Sequence, residues 1–312
     1  MSFAAMMLVA LAIDACLGWP DWLYRRIGHP VTWLGRLIGI CDHRLNRQGP
    51  AVADIAMGAV TVVLVIGAAI LPALMLQFIL PQGWLGVLIG GVLAWPLIAA
   101  RSLHSHVALV AQPLGQGDLS GARRAVAMIV GRDPARLDAA GVSRAALESL
   151  AENSSDGVIA PLFWGMVAGL PGIAAYKAVN TMDSMIGHRT ARHENFGKVA
   201  ARLDDLVNLI PARLTGLLFA LASARPKAAL QVMRRDARHH RSPNAGWPEA
   251  AMAGALGIRL SGPRSYGDHV ADEPWLNADA PDPGPADLTR GLALYRRALF
   301  LGAGFLGLLA CL

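Results

Sequence analysis

QGPAVADIAMGAVTVVLVIGAAILPALMLQFILPQGWLGVLIGGVLAWPLIAA (residues 48–100) contains no Lys or Arg, and Asp54 is its only charge. A membrane crossing takes about 20 mostly apolar residues, so this stretch holds two. Pro81-Gln82-Gly83 is the natural turn between them. The spans are expected at 51–80 and 84–100, with Trp84 and Trp95 at interfacial or packing positions.

The rest of the chain agrees with this reading. Of 312 residues, 54% are hydrophobic and only 16% charged, against roughly 25% charged in soluble domains. Mean hydropathy is +0.42. The start, MSFAAMMLVALAIDAC, is apolar but lacks a basic leader, and Asp14 interrupts it, so a retained first span is expected. Residues 298–312 form a terminal span or half-span. Two weaker stretches, 158–175 and 214–224, are broken by Pro161, by Pro171-Gly172 and by Arg213, and are read as incomplete crossings. The expected fold is all-α: a polytopic integral membrane protein with about 4–6 membrane-embedded helices and cytoplasm-facing connecting helices and loops. A single membrane-embedded domain is expected over 1–312, with 143–256 as its core motif region and 266–290 as a surface loop.

The 28 Lys and Arg against 22 Asp and Glu give a net charge of +6. Basic clusters with interleaved aromatics are missing, which excludes a nucleic-acid binder. Residues 101–290 carry 21 of the 28 basic residues and 25–47 carry five more. The positive-inside rule puts both segments in the cytoplasm and the N-terminus outside. Cys16, Cys41 and Cys311 are too scattered for a metal site or a disulfide framework. Gly302-x-Gly304-x-x-Gly307 matches a dinucleotide fingerprint by letter only. It lies at the end of an apolar helix with no strand before it, and reads as a small-residue packing face.

Ionisable residues near hydrocarbon are costly unless they pair or face a wet cavity, and they concentrate between Ser143 and Arg213. With Gly141 as a stop and Ser143 as N-cap, a helix would place Glu148, Glu152 and Asp156 at i, i+4 and i+8, on one face. Three like charges at that spacing repel. A divalent cation such as Mg²⁺ would resolve the conflict, whereas a solvated acidic face would need none. Lys177, Asn180 and Ser184 share a second helix face beside Asp183, suited to a phosphate or carboxylate oxygen. A lysine reaching toward headgroups would explain Lys177 alone. On a third segment Arg202 sits at i−3 to Asp205, as an ion pair would, and Asp204 at i−4 to Asn208. The doubled Asp204-Asp205 again suits a hydrated divalent ion. Glu148, Glu152, Asp156, Asp183, Asp204 and Asp205 are expected to converge on one cavity.

With these residues in view, the chain resembles the cobalamin-biosynthesis CobD/CbiB family, the adenosylcobinamide-phosphate synthases of the bacterial inner membrane. The blocks that carry the resemblance are HPVTWLGRLI (29–38), GRD (131–133), SRAALESLAENSSDGVIAPLFW (143–164), YKAVNTMDSMIGHR (176–189), FGKVAARLDDLVNLIPARLTG (196–216) and RDARHHRSPNAGWPEAAMAGAL (235–256). They run in the family's order. One departure is Gly18-Trp19-Pro20, where the family usually reads Gly-Asp-Pro.

The resemblance implies amide formation between a carboxylate of adenosylcobyric acid and the amine of (R)-1-amino-2-propanol phosphate, with ATP and Mg²⁺. Glu152, Lys177 and Asp183 are then the candidate catalytic residues. His29, Arg132, Arg144, Asn153, Asn180, Ser184, Arg202, Arg213 and Asn244 are candidate substrate contacts. Glu148, Glu152, Asp156, Asp204 and Asp205 are candidate metal ligands. Membrane lipid and other cobamide-assembly membrane proteins are the expected partners, and the active site is expected to face the cytoplasm. The competing class is a transporter or corrinoid-binding membrane protein without chemistry. Against it stand the lack of matching halves and the gathering of acids around Lys177 and Asn180.

Overall fold

The computed structural model describes residues 2–131, 133–266, 269–271 and 273–312. It is almost wholly helical, and four helices are long and apolar enough to cross a membrane: Ala51–Ile79, Trp84–Gly115, Ala139–Gly187 and Pro285–Cys311. Two bent helix pairs bring the number to six if each is counted as one span. This is the architecture of a polytopic membrane protein. The described residues group into two compact units, each assembled from segments distant in sequence.

The first unit comprises Met1–Ala99, Ala160–Asn208 and Leu306–Leu312. It holds helices α1 (Phe3–Leu17), α2 (Asp21–Ile27), α3 (Pro30–Leu45), α4 (Ala51–Ile79) and α5 (Trp84–Ala94). Helix α1 is too short to span alone, and the chain turns by 111° between it and the α2–α3 arm. The expected first span is therefore one limb of a bent pair. Gly18, at φ 60, makes the turn. Helix α5 stops at Pro96, which cannot donate to the preceding turn, and passes through one 3₁₀ turn, Trp95–Leu97. Helix α6 (Ala100–Gly115) comes next, so the second apolar crossing extends past Arg101 rather than ending at 100.

Helix α4 leaves apolar side chains such as Val63 and Phe78 uncovered, 70% and 91% exposed. Lipid is the solvent that suits them. Its other face packs on α9 (Ala160–Met182). Helix α9 is broken at Ala168–Gly169, where Gly169 adopts φ 67. The break frees the Leu170 N–H, which donates to Gln77 Oε1 of α4 at 2.8 Å. An orphan donor in hydrocarbon would cost several kcal/mol. A Cβ at Gly169 would collide with that same Gln77 oxygen, so only glycine fits. The interruption expected around Pro171-Gly172 is thus real, and begins two residues earlier. Below it, Ile38, Val65, Val179, Met182 and Phe196 close one apolar core.

The second unit comprises Ala100–Ile159 and Leu209–Phe305. It contains α6, α7 (Leu119–Val126), α8 (Ala139–Ser154), α11 (Leu209–Ala222), α12 (Pro226–Asp236), α13 (Gly246–Leu256) and most of α14 (Pro285–Cys311). Helix α10 (Lys198–Val207) belongs to the first unit. Helix α14 starts 13 residues earlier than the apolar pattern from 298 indicates, because Asp287 and Arg290 pair across its first turns. The stretch read as a surface loop, 266–290, contains β3 (His269–Ala271) and β4 (Trp275–Leu276), which pair antiparallel with β2 (Arg264–Tyr266) and β1 (Leu260–Ser261) at or just before its start, and its last residues open α14.

Candidate functional site

The first unit gathers one polar network on α9, the turn after it, and α10. Tyr176 and Asn208 are buried, and the Tyr176 hydroxyl donates to Asn208 Oδ1 at 3.0 Å. Asn208 Nδ2 in turn donates to Asp204 Oδ2 at 3.0 Å. The Asn180 side chain lies beside the same carboxylate, and Lys177 Nζ reaches Asn180 Oδ1 at 3.5 Å. Asp204 Oδ1 is buried with no hydrogen-bond partner among the described residues. Asp183 and Asp205 lie close enough to Asp204 to repel it. His188 lies near Asp183, and Arg202 near Asp205. Lys177 also bears on His29, whose Nδ1 accepts the Val31 N–H and caps α3.

This arrangement places like charges together beside a carboxylate oxygen that lacks a donor. Leaving a buried acceptor unsatisfied costs about 1–3 kcal/mol. The donor set fits a hydrated divalent cation, which is commonly held by one or two carboxylates plus substrate oxygens. Among the described residues no three His, Cys, Asp or Glu side chains are drawn together as a complete metal cage.

Local structure explains how these groups come to face one another. Helix α9 does not end at Met182 but widens into a π-helical turn over Asp183–Gly187. A π turn adds about one residue per turn and rotates the residues beyond it; such turns recur at functional sites. After the turn, the chain is pulled in tightly. A Cβ at Gly197 would strike the Ile186 carbonyl, and one at Gly58 the Phe196 carbonyl. Asp42 fastens the same loop, accepting from Arg192 Nη2 at 3.0 Å and meeting His193 Nε2 at 3.2 Å. Ser184, expected to face a ligand, is exposed and donates its hydroxyl back to the Asn180 carbonyl at 2.9 Å.

The other expected site residues belong to the second unit. Helix α8 begins at Ala139, with Asp138 as its N-cap accepting from Gly141 N at 2.7 Å. Ser143 is therefore a buried second-turn residue, not the cap; Gly141 is tolerated because it lies in the first turn. A second π turn, Ser155–Ile159, opens just before Asp156. It breaks the i, i+4, i+8 register, and the three acids do not share one environment: Glu148 is buried, Glu152 exposed and Asp156 half-buried. Glu148 Oε1 accepts the Ser261 N–H at 2.8 Å, tying α8 to β1. Asn153 Nδ2 donates to the Ser149 carbonyl at 2.9 Å. Arg144 pairs with Asp282 at 2.8 Å and stacks 4.5 Å over Trp275, while Arg259 covers Trp275 at 4.2 Å and also binds Asp282. Arg213 and Asn244 do come together, at 3.3 Å, with Arg213 stacked 4.3 Å over Trp247. Arg132 lies outside the described residues.

Tyr176 stands in the sequence only as one letter of a motif, yet it anchors the Asp204 network through Asn208. A tyrosine four residues before Asn180 on one helix face is the available signal. Nothing in sequence points to Trp275 as the plate between two arginines, since that contact is wholly tertiary.

Similarity to known proteins runs along almost the whole chain. The chain is 67% identical over 312 residues to a protein from Rhodobacter capsulatus called "Cobalamin biosynthesis protein CobD", covering 100% of this chain and 99% of the relative. A Brucella suis protein of the same name is 47% identical over 305 residues, covering 95% and 93%. One from Rhizobium meliloti is 48% identical over 280 residues, covering 87% and 86%. No solved structure matches. The model of the family described as CobD/Cbib protein matches residues 7–295, and on that extent of agreement the chain belongs to the CobD/CbiB family.

Proposed function

We propose that this protein acts in cobalamin biosynthesis as an amide-forming ligase of the membrane. In this reading it joins the amine of (R)-1-amino-2-propanol phosphate to a carboxylate of adenosylcobyric acid, giving adenosylcobinamide phosphate. The coarse role is supported by near-complete alignment with relatives named for cobalamin biosynthesis. The chemistry is supported above all by one observation: Lys177, Asn180, Asp183 and Asp204 gather around a buried carboxylate oxygen that has no donor.

A carboxylate does not condense with an amine unaided. Transfer of the ATP γ-phosphoryl group to the carboxylate oxygen gives an acyl phosphate and ADP. The free amine then attacks the acyl carbon, the C–N bond forms, the C–O bond to phosphate breaks, and the nitrogen gives up one proton. Lys177 would hold an anionic oxygen of the phosphate or activated carboxylate, and the Asn180 amide would fix its orientation. Tyr176 and Asn208 hold Asp204 in place. The amine proton would pass to a carboxylate of the same cluster, Asp183 or Asp205. Asp204 with Asp183 or Asp205 would hold Mg²⁺, which would neutralise phosphate charge when bound. The active face is assigned to the cytoplasm, where ATP is found. A reporter fused at Gly117, in the turn after α6, should then be active only on that side.

The test is mass spectrometry of adenosylcobyric acid incubated with purified protein, ATP, Mg²⁺ and aminopropanol phosphate. The expected result is a new amide mass that needs all four components. Corrinoid binding with no change of mass would overturn the reading in favour of a binding or transport protein.

A further inference from the structure

Helices α2 and α3 carry a surface that the proposed chemistry does not use. Counting 100° per residue, Trp33, Arg36, Ile40, His43 and Arg44 fall on one face of α3 about 100° wide. Arg36, Gly39, Ile40, His43 and Arg44 line an open groove of about 520 Å³. Trp33 and Ile40 are 50% and 51% exposed. The opposite face, with Ile38 and Cys41, is buried in the apolar core. No side-chain hydrogen bond or ion pair is made by Arg36, His43 or Arg44 among the described residues. The one acid on α3, Asp42, points away from them and is taken up by Arg192 and His193. Helix α2 continues the pattern, with Trp22, Tyr24, Arg25, Arg26 and Ile27 exposed and Asp21 at its start.

Two unpaired arginines and one exposed indole on a single helix face, on an arm turned 111° from the apolar helix before it, suit a helix lying at a bilayer surface. Tryptophan and tyrosine settle at headgroup depth, and arginines there attract anionic lipid. We infer that the exposed face of α3, from Trp33 to Arg44, is a binding site for the phosphate headgroup of an anionic phospholipid. The occupant is set by charge complementarity, since the groove offers two arginines and no acid, and by continuity with the membrane-crossing helix α4 next along the chain. The inference is independent of the amide-forming reaction and survives if that reading fails.

The full-length protein, reconstituted in vesicles of equal phosphatidylglycerol and phosphatidylcholine, would be released and its retained lipids counted by native mass spectrometry. Each arginine near an anionic surface contributes roughly fivefold in lipid partition, so Arg36→Gln with Arg44→Gln should lower the preference for phosphatidylglycerol about 30-fold. Arg36→Lys with Arg44→Lys should keep it, because a point charge serves. Arg124→Gln with Lys227→Gln, which removes two exposed charges elsewhere, should also leave it unchanged. The site is refuted if the glutamine pair retains the wild-type preference, if the lysine pair loses it, or if the distant pair loses it equally. It is also refuted if millimolar inorganic phosphate displaces the lipid as readily from wild type, since the groove would then be a free-phosphate site.

Discussion

Asp204 in the first unit and Asp236 in the second show how differently one chain can place two aspartates. Asp236 is satisfied on every side: Arg235 Nε donates to Oδ1 at 2.6 Å, Arg235 Nη2 to Oδ2 at 2.8 Å, and Asn277 N to Oδ2 at 2.7 Å. Asp204 accepts from Asn208 on Oδ2 and lies beside the Asn180 side chain, but its Oδ1 has no partner among the described residues and two further aspartates adjoin it. A similar contrast holds at particular side chains of each unit. In the second, Arg144 and Arg259 share Asp282 around Trp275, and Glu148 binds a backbone amide. Charge there holds pieces of chain together. In the first, charge is left partly uncompensated around Lys177 and Asn180, which is the condition for binding something the chain does not supply.

The largest effect expected from this contrast is on chemistry. Lys177→Met should insert normally and still bind corrinoid, yet lose roughly 10²-fold or more in turnover. Steady-state rates by product mass would show it. Retention of more than about a third of wild-type turnover would make Lys177 structural.

A control within the first unit should behave in the opposite way. Gly169→Ala forces a side chain into left-handed backbone and against Gln77 Oε1. It should cost about 1–3 kcal/mol in stability, read as a fall in melting temperature in detergent. Turnover per folded molecule should fall much less than in Lys177→Met.

A smaller loss is expected from Asp236→Asn. Arg235 is half-exposed, so its ion pair is screened. What remains is the amide of Asn277 and two weakened contacts, about 1 kcal/mol. The pH dependence has a definite sign. Burial raises the Asp236 pKa, but hydrogen bonds from Arg235 and Asn277 N outweigh it and hold the carboxyl below its ordinary value. Asp282 is likewise depressed, chiefly by its bonds to Arg259. A depressed carboxyl stabilises the fold above its unfolded pKa of about 4 and loses that contribution as pH falls through the folded value. Melting temperature should therefore fall between about pH 4 and pH 2, and Asp236→Asn should flatten part of that slope.

Much of the fold could be read from the residues because hydropathy sets it locally. The α4–α5 pair and its turn at Pro81-Gln82-Gly83 follow from composition, and the break in α9 from its glycine and proline. The gathering of Lys177, Asn180, Asp183 and Asp204 was legible from spacing and from the cost of charge near hydrocarbon. Other features were not. Two π turns, at Ser155 and Asp183, change the register that an ideal α-helix would give Asp156 and Ser184. The cap of α8 fell to Asp138 because an aspartate is as good an acceptor as Ser143 and stood five residues earlier. The uses made of Arg144 and Glu148 depend on Trp275, Asp282 and Ser261, more than 100 residues away, which no local pattern encodes.

Asp204→Asn, compared with Asp236→Asn in parallel for turnover and thermal unfolding, tests the division of labour between the two sets of charges most directly. Replacing Asp204 relieves repulsion among neighbouring acids, so its melting temperature should stay level or rise while amide formation drops by roughly 10²-fold. Asp236→Asn should melt lower and keep its turnover per folded molecule. If Asp204→Asn melts as low as Asp236→Asn and its folded fraction still makes amide at the wild-type rate, the acids around Lys177 serve the fold, and the chemistry lies elsewhere.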